Sequence, residues 1–285
     1  MLMPLPLLLG VLAIGDGVAA DVLPVRSAPV DAAGYFRPGL TSHALERGMS
    51  PEVAQLYAGA IAATRSGEYR DALVQARQAR ALSFLQLQRG PVSSFLARRH
   101  FLRASYLESQ LAEMALIEEQ LAHASEQTDE RALLLQLRPL VMHNLFLAVR
   151  SYTGLVDTRL LGQVIAAYTT AKPASGQLKL QVQLGYAAAL AERGDFASAR
   201  AEFAQQPTAE LQAGSLDLNV AYYFTAVGDV SRAIERLSEA SRRDTWLRSG
   251  REATGVRAQA YRLCDFDRLL EHPRFIDLVI EPEER

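Results

Sequence analysis

The segments LQVQLGYAAALAERGDFASARAEFAQQ (180–206) and LDLNVAYYFTAVGDVSRAIERLSEASRR (216–243) decide the fold. Both lie within Leu180–Arg243, and each reads as a helical hairpin. In the first, Ala187, Gly194-Asp195-Phe196, Ala199 and Phe203 stand at set intervals. In the second, Ala221, Gly228-Asp229-Val230, Ala233 and Leu237 repeat those intervals 34 residues later. A glycine after an apolar helical run takes the left-handed conformation that ends a helix. The aspartate after it stands where the next helix needs an N-cap. Ala187 with Ala199, and Ala221 with Ala233, are the expected close-approach positions. Phe196, Phe203, Tyr223 and Phe224 are expected to fill the space between successive hairpins. One hairpin cannot bury its apolar face alone, so copies must stack.

The 34-residue period, with small residues at helix contacts, resembles the tetratricopeptide repeat. The resemblance implies an all-α fold, a right-handed α-solenoid of antiparallel hairpins, and a concave groove that binds a protein or peptide. Groove positions carried over from it are Tyr57, Leu184, Ala188, Leu218, Asn219, Tyr222 and Thr225. Asn219 falls where such grooves hydrogen-bond a peptide backbone. No Lys or Arg stands at the basic positions of the first hairpin, so an apolar or aromatic segment is the expected ligand, rather than a carboxylate-tailed one.

Outward from this stretch the pattern weakens. Ser50-Pro51-Glu52 starts a helix with a serine cap, a first-turn proline and an early acid. Gly67-Glu68-Tyr69 takes the place of the later Gly-Asp pairs, with Ala60, Ala72 and Ala79 at the small positions, so 50–92 is a degenerate hairpin. Residues 93–172 read as two irregular hairpins, with a candidate break at Ser109, a kink or split at Pro139, and caps at Thr128 and Asp157. The two clear motifs occupy 177–243. Within 244–285, Phe266–Val279 reads as short apolar helices that cover the last repeat.

The N-terminus reads as a secretory signal, 1–20: the apolar run Leu5–Ile14 is too short to span a bilayer, and Val18-Ala19-Ala20 offers a cleavage site. Residues 21–49 form a Pro- and Gly-containing leader, with Tyr35 and Phe36 as anchors. The expected location is therefore periplasmic or secreted. No second apolar segment long enough to cross a membrane is expected.

The chain has 285 residues, 49% of them hydrophobic, which suffices for a sizeable core. Its formal net charge of −2 gives no reason to expect nucleic acid as a partner. The single cysteine, Cys264, excludes an intrachain disulfide and reads as a packing residue. Arg98, Arg99, His100 and Arg103 form one basic cluster, and a second runs from Arg242 to Arg262. Both read as ordinary surface pairs with nearby acids.

No catalytic set is legible. Glu119 and His123 share a helix face, but a metal site needs three or four converging ligands. No metal, cofactor or catalytic residue is therefore assigned. The leading reading is an exported scaffold that binds a protein or peptide. One alternative is an all-α envelope hydrolase or lyase centred on residues such as Glu119 and His123. Another is a structural subunit that self-associates through its end faces. Partner and oligomeric state stay open.

Overall fold

The computed structural model describes residues 50–89, 95–126, 128–153, 156–171, 177–206, 216–243, 266, 269 and 272–279. The signal and leader, the part of the second basic cluster from Arg248 to Arg262, and Cys264 lie outside these residues, as do the side chains of Arg98 to Arg103. Every described element is a helix or a turn, as an Ala- and Leu-rich chain predicts. In chain order they are α1 (Pro51–Ser66), α2 (Tyr69–Arg89), α3 (Phe95–His123), α4 (Asp129–Thr153) and α5 (Thr158–Thr170). There follow α6 (Gln177–Glu192), α7 (Phe196–Ala204), α8 (Asp217–Ala226), α9 (Val230–Arg243) and α10 (Pro273–Val279).

Three helix ends are built alike. Gly67, Gly194 and Gly228 have φ of +81°, +87° and +81°, the left-handed region in which a side chain is strained. Behind each glycine, the next backbone N–H reaches back five residues. Glu68 donates to Ala63, Asp195 to Leu190 and Asp229 to Phe224, at 2.8–3.0 Å. This is the Schellman closure. Asp195 and Asp229 then accept from the backbone N–H groups of Ser198 and Arg232, each at 3.2 Å, and so start α7 and α9. Ser50, Thr128 and Asp157 cap α1, α4 and α5 in the same way, as expected.

Packing follows chain order. Neighbouring helices pair from α1 to α7, and α8 pairs with α9; in addition α4 touches α6, and α6 touches α8. The small residues serve as expected: Ala60, Ala72, Ala79, Ala187, Ala199, Ala221 and Ala233 are fully buried. Phe203 stacks on Tyr223 with centroids 4.1 Å apart and the rings parallel to 1°. Phe196 departs from expectation, since it is 42% exposed. It begins a helix of only nine residues and turns away from the packed seam, which Phe203 fills. α10 packs on α9, and Phe275, Phe266 and Leu269 are buried.

The middle of the chain corrects the expected two hairpins to three helices. α3 runs unbroken through Ser109, because no Gly or Pro interrupts Phe95–His123 and one serine does not end a helix. α4 likewise continues through Pro139. The proline removes one hydrogen bond of a 25-residue helix that its neighbours hold in place, in part by Arg138 on Glu118 at 2.6 Å. A further correction concerns Asp129–Arg150 in α4, which is long and apolar enough to cross a membrane. Half of that window is buried inside the protein, and Met142, Leu145, Phe146 and Val149 belong to the core. α1 is fastened to α5 across the chain: Arg65 Nε meets Asp157 Oδ2 at 2.5 Å, and Gln163 donates to the Arg65 carbonyl at 3.0 Å.

Candidate functional site

The row α4–α6–α8, with α5 behind it, encloses a chain of polar side chains. His143 of α4 lies in the apolar run LVMHNLFLAV (140–149) and is buried. Its Nδ1 is 2.9 Å from the Tyr168 hydroxyl of α5, and its Nε2 is 3.3 Å from the Tyr222 hydroxyl of α8. Tyr222 also reaches Glu192 Oε1, at the end of α6, at 3.3 Å. Arg150 of α4 donates to the same oxygen at 2.6 Å.

These contacts fix the protons. An ionised carboxylate only accepts, so the Tyr222 O–H donates to Glu192. The Tyr222 oxygen then accepts from His143 Nε2–H. His143 Nδ1 carries the lone pair and accepts the Tyr168 O–H. The hydrogen bonds therefore run one way, Tyr168 to His143 to Tyr222 to Glu192, with Arg150 closing the far end. Burial lowers the His143 pKa to about 4, an effect that the Glu192 carboxylate opposes and the Arg150 guanidinium reinforces. Burial also pushes the Tyr168 phenol up, so it keeps its proton. Gly185 of α6 makes room for that phenol: a Cβ there would stand 2.1 Å from the Tyr168 oxygen.

The expected groove residues lie on α1, α6 and α8. Tyr57, Leu184, Ala188, Tyr222 and Thr225 are buried, while Leu218 and Asn219 are partly exposed. Five of the seven are thus packing groups, and only Leu218 and Asn219 offer surface. The reason is the closeness of the row: small side chains let the neighbours of α6 approach along its second half, so Ala187, Ala188, Ala189, Leu190 and Ala191 are all in the core. Thr225 turns its hydroxyl onto its own helix, donating to the Ala221 carbonyl at 2.9 Å. Tyr222 was legible as a site position, but its partners His143, Tyr168, Glu192 and Arg150 were not. The one local signal was a histidine inside an apolar run.

Glu119 and His123 are exposed on α3 and do not converge on a shared centre. Arg70 pairs with the Glu119 carboxylate at 2.9 Å, and His123 Nδ1 lies 2.7 Å from the Glu119 carbonyl. Among the described residues, no three His, Cys, Asp or Glu side chains gather as metal ligands would. A shallow cleft of about 340 Å³ between α7, α8 and α9 is lined by Phe203, Gln206, Phe224, Arg232 and Arg236. Its arginines already face Asp229 and Asp217, each at 3.5 Å. Comparison of the chain with protein families, curated proteins and solved structures finds no match.

Proposed function

We propose that this chain is an exported tetratricopeptide-like scaffold, a right-handed α-solenoid that binds a protein or peptide along its α4–α6–α8 row. The observation that carries the reading is the repeated helix ending. Two copies of one Gly-Asp closure, 34 residues apart, set α6 and α8 side by side with the same turn and cap after each. Repetition of a local geometry at a fixed period is what a stacked array requires. The buried polar chain supports the same role, because it joins α4, α5, α6 and α8 into one wall. The partner contacts belong to the partly exposed Leu218 and Asn219 at the start of α8, an apolar group beside an amide. Export rests on the Leu5–Ile14 run and the small residues before Asp21.

The test is retention of proteins from an envelope extract of the source organism on the immobilised protein. A set of proteins held by the wild type and lost with Leu218→Arg and with Asn219→Ala is the expected result. Identical retention by all three forms, each folded by circular dichroism, would overturn the assignment.

A further inference from the structure

The cleft between α7, α8 and α9 is lined by polar groups that the fold leaves short of partners. Gln206, just past the end of α7, is 6% exposed and lines it. Its Nε2 turns back on the chain and donates to the Glu202 carbonyl at 3.0 Å. Its Oε1, on the other fork of the amide, is buried and accepts no hydrogen bond among the described residues. A buried acceptor without a donor carries its full desolvation penalty, which a donor entering the cleft relieves.

Arg236 of α9 is short of acceptors on the same cleft. It is 27% exposed, and its ion pair with the Asp217 carboxylate is 3.5 Å long. A charge-assisted hydrogen bond is about 2.7–2.9 Å. Other enclosed guanidiniums close fully: Arg65, Arg138 and Arg150 meet their carboxylates at 2.5–2.6 Å. Arg236 thus keeps N–H groups to give. Phe224, buried, and Phe203, partly buried, supply an apolar wall beside it.

Charge selects among ligands. The arginines on the cleft face Asp217 and Asp229, and Glu235, exposed on the same rim, has no cationic partner among the described residues. The surplus negative charge disfavours an anion, and the guanidiniums disfavour a cation. A neutral group that both gives and takes a hydrogen bond, with an apolar group beside it, fits both conditions. That is the chemistry of a peptide link and its side chain. We propose that this cleft binds a peptide segment of a partner: a backbone N–H donates to Gln206 Oε1, a backbone carbonyl accepts from Arg236, and an apolar side chain packs on Phe203 and Phe224. The volume of about 340 Å³ is at the low end for a ligand site, and admits a short stretch of chain rather than a folded element. The site uses neither Leu218 nor Asn219, so it and the reading of the α4–α6–α8 row fail separately.

Titration of the purified full chain with N-acetylleucine methylamide, followed by saturation-transfer NMR, tests this. A dissociation constant of about 1 mM is expected for a probe of that size. Gln206→Leu is expected to weaken binding about tenfold. Arg236→Lys keeps a charge facing Asp217 but loses the planar fork, and is expected to weaken it about threefold. Isovalerate and isopentylamine carry the same branched chain on an anion and on a cation, and neither is expected to displace the probe. Circular dichroism checks that each variant folds. Should Gln206→Leu misfold, nuclear Overhauser contacts from the bound probe's methyl protons to the Phe203 and Phe224 rings read the same site in the wild type. No binding at up to about ten times the expected constant, a folded Gln206→Leu that binds as the wild type does, displacement by either charged analogue, or methyls remote from both rings would each overturn the proposal.

Discussion

His143 is neutral because its surroundings leave no place for a second proton. Its Nδ1 already receives the Tyr168 hydroxyl, and burial penalises the imidazolium. Protonation would force Tyr168 to accept instead, and its own O–H would point toward Gly185, where there is no acceptor side chain. Stability depends on pH accordingly. The folded-state pKa of about 4 lies below the ordinary value of 6.5, so between these the unfolded chain binds the extra proton. The contribution is complete above about pH 6.5 and is lost as pH falls toward 4, reaching roughly 3 kcal/mol. Burial raises the Glu113 carboxyl to about 7, which adds stability as pH falls through the same window and opposes this loss, so the His143 contribution is read by difference: between about pH 7.5 and about 5 the urea midpoint of the wild type is expected to fall relative to that of His143→Gln. Equal slopes for both proteins would show that His143 does not carry it. Gly185 answers to the same contact: Gly185→Ala gains helix propensity but pushes against the Tyr168 oxygen.

Among the elements, the three glycine-ended helices explain why hairpins form where they do. A non-glycine residue at Gly194 or Gly228 meets open space, so crowding is not the issue. The positive φ is, and it costs about 1–2 kcal/mol for a residue with a Cβ. Gly228→Ala is therefore expected to destabilise the protein by that amount, and Gly228→Asn by less, since Asn tolerates the left-handed region. Asp229→Ala removes only the cap of α9 and is expected to cost about 1 kcal/mol. Chemical denaturation of the three variants checks the order; an alanine at 228 without effect would mean that α8 ends by other means. Much of this level was legible in the sequence, because a Schellman closure spans six residues and its signals are neighbours in the chain. The continuity of α3 and α4 was less legible, because Ser109 and Pro139 weaken a helix locally while packing against neighbouring helices and the core outweighs them.

For the whole molecule, ties between distant segments matter most. Asp157 serves twice, as the cap of α5 and as the partner of Arg65 at the end of α1, 92 residues away. Asp157→Ala is expected to cost about 2–4 kcal/mol, since it removes a cap and takes the carboxylate from a mostly buried guanidinium. Asp157→Asn keeps the cap and is expected to cost roughly half as much. Equal losses from the two, measured by urea unfolding, would mean that the α1–α5 tie contributes nothing. The Arg150–Glu192 pair ties α4 to α6 in the same manner, within the row proposed to bind a partner.

Read without coordinates, the chain is already helical, its hairpins already turn at Gly67, Gly194 and Gly228, and its alanines already mark the helix contacts. These features depend on hydrogen bonds and steric limits within a few residues, and each is written in adjacent letters. Packing in three dimensions settled the rest: that Phe203 packs while Phe196 faces water, that five of the seven groove positions are core, and that His143 meets Tyr168 and Tyr222. Those outcomes depend on how far each helix rotates and how closely its neighbours approach. That is set by volumes summed over several helices, and partners 25 and 79 residues apart leave no mark on one another in the chain.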